Sequence, residues 1–184
     1  MGHNEFLLGG NSGSFETVKD AIISLENSST IFVKRWRQSD YRQAAVVSQD
    51  AMKCFEYIVG EILRACERDR SEATYVGSAL QATMSALIGK MVRPVTDGEQ
   101  EAVCTAGVGR GELPVGKRVQ QITLEVTLNK IKHRHPKLMN FRIEQDRHML
   151  VICPLKPKGG GADSIVEFDV EVFCNACSAA VPHL

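Results

Sequence analysis

The stretch ITLEVTLNKIKHRHPKLMNFR, residues 122–142, decides how the chain is read. Ile122, Leu124, Val126 and Leu128 alternate with the polar Thr123, Glu125 and Thr127. A period of two is the pattern of a strand with one buried face. The remainder, KIKHRHPKLMNFR, is the densest run of positive charge in the chain and contains a proline. Together they predict the end of one strand, a Pro-containing turn, and a second strand carrying Met139, Phe141 and Ile143 on one face.

The strand pattern continues downstream. A tight turn at 145–147 leads into MLVIC (149–153), and PLKPKGGGADS follows as an exposed loop. Over 165–174, Val166, Phe168, Val170 and Val172 alternate inward with Glu167, Asp169 and Glu171, which are expected on a solvated face. Four strands joined without an intervening helix imply an antiparallel meander.

Upstream the period is helical. GGNSGS (9–14) reads as part of a flexible leader ending in an N-cap, Ser14. Phe15, Val18, Ile22 and Leu25 then make one apolar face, expected to stop at 27–29, where Asn and Ser side chains compete for backbone hydrogen bonds. TIFVKRW (30–36) reads as a strand or an extended connector. The strongest helix is predicted over 40–68, capped by Ser39, with Val47, Ala51, Phe55, Ile58, Ile62 and Ala65 along one seam. A third helix is expected from a Ser71 cap to about Met91, forming an αα-hairpin with the second. Its stripe of Ser78, Ala82, Ser85 and Gly89 would let another helix approach closely. Arg93-Pro94 ends it, and a Gly-rich connection follows.

The fold expected is therefore α+β: an αα-hairpin plus one shorter helix packed on a four-stranded antiparallel β-meander. The organisation expected is a leader at 1–13 and one domain at 14–184. That domain divides into a helical half (14–92), a linker loop (93–117) and a β half (118–184).

Composition bounds the function. The chain has 184 residues, 43% of them apolar and 24% charged, with net charge zero, as expected of a globular domain with a real core. The charge is segregated: residues 117–158 hold ten Lys or Arg against Glu125, Glu144 and Asp146. No secretory signal or membrane-spanning run is visible, and the six scattered cysteines read as reduced thiols in a cytoplasmic or nuclear protein. Gly2 would suit myristoylation, but Phe6 stands where that motif wants Ser or Thr.

Catalytic signals are weak. GVGRG (107–111) lacks the strand before it and the helix after it that a phosphate-cradling loop needs. CNAC (174–177) has the spacing of two zinc ligands, with Cys153, His148, His133 and His135 as further donors, yet no second CxxC completes it. No Ser or Cys stands in an activating context, so no enzyme, metal or cofactor is expected.

What remains is the basic segment. Lys130, Lys132, Arg134 and Lys137 bracket the turn, and Arg142 and Arg147 follow on the hairpin. Clustered Arg and Lys bind phosphates by displacing counterions, and His133 and His135 would add charge below about pH 6.5. The expectation is a non-enzymatic intracellular binding or assembly protein. It would self-associate through its helical half and present this segment to RNA or another phosphate-rich surface, as a viral matrix or accessory protein would. Alternatively the charges protect a sheet edge from aggregation, with the αα-hairpin serving a protein–protein adaptor, or the chain is a zinc-stabilised domain.

Overall fold

The computed structural model describes residues 17–155 and 163–184. The leader, the Ser14 cap and Phe15 lie outside the described residues, as does the centre of the 154–164 loop.

The first helix, α1 (Val18–Arg37), is capped by the Thr17 hydroxyl, which accepts from the Asp20 N–H. It runs past the serines at 28–29 where the sequence suggested a stop, and TIFVKRW is helical. The apolar spacing explains this, because Phe32, Val33 and Trp36 continue the face begun by Ile22 and Leu25. Thr30 Oγ1 donates back to the Glu26 carbonyl within the helix, so its competition for the backbone is resolved internally.

A turn with Ser39 at φ 58° leads to α2 (Tyr41–Ser71), and Asp40, rather than Ser39, caps it. The long αα-hairpin is therefore α1–α2. The expected third helix is reduced to α3 (Ala79–Met84), which Ser78 caps, and the chain then becomes strand β1 (Leu87–Val92). The small-residue stripe is split between them. Gly89 has a different reason to be small: a Cβ there would stand 3.0 Å from the Glu167 carbonyl oxygen on the next strand.

Thr96 and Glu99 form a reciprocal capping box that starts α4 (Asp97–Thr105) inside the expected linker. Strand β2 (Val119–Thr123) covers only the start of the alternating stretch, and α5 (Leu124–Lys132) replaces the rest. Leu124, Leu128 and Ile131 satisfy a helical period as well, and Thr127 joins them in the buried face. Thr123 decides between the two by capping the helix, accepting from the Val126 N–H.

The basic segment thus begins on a helix and continues into β3 (Arg134–Glu144), whose pairing with β4 (Arg147–Pro154) is irregular between Arg134 and Met139. The predicted turn between them is present, with Gln145 at φ 53°. The last strand, β5, is only Ile165–Asp169, and α6 (Val170–Ala180) follows. Val170, Phe173, Cys174, Cys177 and Ala180 form its buried face at helical spacing.

The α+β expectation holds in its outline, with the helical and strand halves broadly as read. The sheet has five strands, not four, in the order β2-β1-β5-β4-β3, every pairing antiparallel. Only β3–β4–β5 is a meander. The main core lies between one face of the sheet and α1, α2, α3, α5 and α6. A second core of Val92, Val95, Val103, Val151, Cys153 and Ile165 lies on the other face, where α4 packs.

This arrangement overturns the solvated acidic face. β5 is central, so Glu167 is 4% exposed and Asp169 3%. A buried carboxylate needs a partner. Arg142 Nη1 meets Glu167 at 2.5 Å with Lys90 at 3.9 Å, and Arg147 Nε meets Asp169 at 2.5 Å. Removing one partner from such a pair strands a buried charge. Arg142→Ala is therefore expected to destabilise the fold by about 3 kcal/mol in urea unfolding, whereas the double change Arg142→Met with Glu167→Met recovers most of that loss. A single-variant cost below about 1 kcal/mol would contradict the assignment of this pair.

A candidate ligand cleft and the basic segment

Among the predicted anion-binding residues, five are already engaged. Lys130 Nζ donates to Ser164 Oγ at 3.1 Å, and burial, with Arg93 nearby, pulls its pKa down. Lys132 faces Glu67 at 3.6 Å and Arg134 meets Glu56 at 2.7 Å. Arg142 and Arg147 hold the buried acids of β5, and Arg142 also reaches Glu144 at 2.5 Å. The ammonium of exposed Lys137 has no ion-pair partner among the described residues. The structure thus spreads the segment over a helix and a strand and sets four of its six charges against acids.

The β3 edge is covered as well. Asn140 holds the GVGRG loop through two hydrogen bonds, Nδ2 donating to the Gly107 carbonyl and Oδ1 accepting from the Gly109 N–H, and Nδ2 also donates to the Val103 carbonyl of α4 while Oδ1 accepts from the Phe141 N–H. Gly111 N–H donates to the Phe141 carbonyl at 2.9 Å. A Cβ on Gly111 would lie 2.8 Å from that of Asn140, so only glycine fits against the strand. The glycines are a fixed cover for an edge, not a phosphate cradle.

Five of the six cysteines are buried thiols, and Cys104 is half-buried. Burial pushes Cys153 and Cys174 up to about 12 and Cys177 well above its ordinary value. Such groups are poor nucleophiles and poor metal ligands. CNAC sits within α6 rather than at a strand end, and no group of three or more His, Cys, Asp or Glu is placed to hold a metal among the described residues.

The unfilled space lies elsewhere. In the first half of α2, Ser48, Ala51 and Met52 are only half-buried and line an apolar cleft beside the β3–β4 hairpin. One part, about 180 Å³, is walled by Ser48, Met52, Phe55, Phe141 and Leu150, with Arg134 also in its lining. A second part, about 90 Å³, shares those five walls and adds Phe32, Ser29 and His148. Ser29, His148 and Val170 also line a wider groove of about 820 Å³, which carries Glu26, Lys34, Arg37, Asp146 and Glu171. The second space thus shares lining residues with both the first and the groove.

Ser29 and His148 are the polar residues that line both the second space and the groove. The His148 ring stacks on Phe32 at 4.7 Å and 8°, and Phe141 meets its edge at 5.8 Å. Nδ1 lies 3.0 Å from Ser29 Oγ. Nε2 is buried with no hydrogen-bond partner among the described residues. Burial drives the pKa down to about 4, although the charge of Asp169 opposes that shift. The imidazole is neutral at pH 7.

Sequence reasoning weighed His148 as a zinc donor, not as part of a cleft. The signal that places it was available in β4, where His148, Leu150 and Ile152 share one parity and therefore one face.

Comparison with known proteins finds no match: no family model, no curated protein and no solved structure is significantly similar to this chain.

The buried histidine has a thermodynamic consequence. Its folded pKa lies below its unfolded value, so the unfolded chain binds the proton first. The stabilising effect is complete above about pH 6.5 and is lost as pH falls toward about 4, a difference of about 3 kcal/mol. Carboxylates titrate over part of the same range, so the comparison is between variants. Unfolding free energies at pH 7, 5.5 and 4.5 should fall less steeply for His148→Phe than for the parent chain. Parallel curves would show that His148 does not bear this load.

Proposed function

We propose that the protein is a non-enzymatic binding protein that encloses a small, mainly apolar molecule in the cleft between α2 and the β3–β4 hairpin. The observation that carries this reading is the cleft itself, an apolar space bounded by Met52, Phe55, Phe141 and Leu150, with Ser29 and His148 in the lining of its smaller part. Binding sites for small molecules have this make-up, with apolar walls and a few placed polar groups. The size supports a one-ring ligand, since an apolar cavity of about 150 Å³ suffices for benzene.

The absence of catalysis in this reading has a physical basis. Ser29 and His148 form the hydroxyl–imidazole contact that a nucleophile would need. A base with a pKa near 4 is a weak proton acceptor at neutral pH, however. The phosphate-surface reading draws less support, because Lys132, Arg134, Arg142 and Arg147 are set against acids. Self-association through the helical half retains one supporting observation: Ile23, Ile31, Tyr41 and Val46 of α1 and α2 are exposed. If those side chains form an interface, sedimentation velocity will show a mass that rises with concentration.

Trp36, the single tryptophan, stands 4.8 Å from the Phe141 ring on the cleft wall and so reports on its contents. Titration with ethylbenzene or indole is expected to raise the thermal midpoint, with Trp36 emission changing for the non-fluorescent ligand. Ser48→Phe, which fills the cleft from α2, should abolish both responses while leaving the protein folded. Responses that persist unchanged in the Ser48→Phe protein place the ligand elsewhere and end this reading.

A further inference from the structure

β2 forms one edge of the sheet and β3 the other. An edge strand presents a row of backbone N–H and C=O groups to any further strand, and proteins guard such rows with charge, proline or a cover. The β3 edge has its cover, the loop whose Gly111 N–H donates to the Phe141 carbonyl. The β2 edge has none: among the described residues, the backbone of 119–122 is hydrogen-bonded to β1 alone. Its sequence, VQQIT, contains neither charge nor proline. We infer that β2 pairs antiparallel with β2 of a second copy of this chain, joining the two sheets into one across a two-fold axis at Gln121.

The side chains select a copy of the chain as the occupant. Ile122 faces the main core, so Gln120 shares that face, whereas Val119, Gln121 and Thr123 share the other. A continuous sheet must match faces, which admits only registers that pair residues of the same parity. Full overlap of the two strands then sets Val119 opposite Thr123, Gln120 opposite Ile122, and Gln121 opposite its own counterpart. The strand reads nearly alike in both directions, with a β-branched residue at each end and Gln at its centre, as a self-complementary edge requires. Val119 is 48% exposed, and Leu87, beside Thr123 on β1, is 64% exposed. Pairing lays each Val119 against the Thr123 of the other copy, in line with that Leu87.

Charge decides the orientation. Lys117, just outside the strand, is engaged by Glu99 and the Pro94 carbonyl, which leaves the exposed Arg118. Antiparallel pairing holds the two Arg118 backbones about 20 Å apart along the strand direction. That exceeds the screening length of about 8 Å at physiological salt. A parallel pairing in register would set the two cations side by side. The cleft borders the β3–β4 hairpin at the opposite end of the sheet, so this interface leaves it open.

The test reads association and its location together. In sedimentation velocity the parent chain is expected to form a dimer whose share grows with concentration. The amides of 119–122 are expected to gain hydrogen-exchange protection over the same range. Gln121 is exposed, and the axis brings any charge placed there against its own copy. Gln121→Lys and Gln121→Glu are each expected to weaken the dimer about tenfold or more, and mixing the two should restore it as a heterodimer. Gln121 neighbours Lys90 on β1. Should Gln121→Lys fail to fold beside that cation, Gln121→Glu supplies the comparison against uncharged Gln121→Thr, which keeps the dimer. A dimer that persists in both charged variants, as association through the exposed residues of α1 and α2 would give, overturns the inference. So does a parent chain that stays monomeric at its highest soluble concentration with 119–122 unprotected, which would leave the edge to a strand of another protein.

Discussion

A carboxylate inside the central strand is the constraint around which this molecule is arranged. Glu167 has strands on both sides and lies on the sheet face opposite the main core. Its charge there is tolerable only beside a cation. Arg142 supplies it from β3, reaching across β4, and the same guanidinium donates to the Gly111 carbonyl. One side chain thus ties the edge strand, the central strand and the glycine loop together. The cross-strand row Lys90–Glu167–Val151–Asn140 fixes the register of four strands, because a slip of one residue would carry the acid into the main core. Nothing apolar in that row would set the register so sharply.

The cleft follows from how the other face is covered. The second half of α2 packs its Ile58, Ile62 and Cys66 tightly into the main core. Its start packs with α1 and β3 through the Phe32, Trp36, Val47 and Phe141 cluster, and Ser48 and Met52 beyond it line open space beside β3 and β4. Two well-packed ends therefore bracket a span that neither reaches. The imidazole of His148 stands at the seam between them, where an apolar side chain would have been the simpler filling.

Much of the helical half was legible because its apolar positions keep one period over many turns. Ile58, Ile62 and Ala65 fall on the buried face of α2 as their spacing demands. The errors arose where two periods fit the same residues. Leu124 and Leu128 suit a strand by alternation and a helix by their spacing of four, and Val170 with Cys174 presents the same ambiguity. The deciding residues are Thr123 and Asp169, whose side chains accept from backbone N–H groups two or three residues on. Mid-strand alternation hides such caps. The acids of β5 were misplaced for a related reason, since alternation identifies opposite faces but not whether the second face is covered. The cleft was not legible at all, because packing gaps depend on where helices diverge rather than on any local pattern.

Those two caps carry a further meaning. Thr123 ends β2 and Asp169 ends β5, and each is immediately followed by the first residue of a helix. No connecting residue separates strand from helix at either joint. Adding or deleting one residue there would turn the following helix by about 100° about its axis and present its polar side to the core. Neither joint can absorb a change in chain length. Related sequences, however far they drift in composition, should therefore be recognisable by where they refuse insertions.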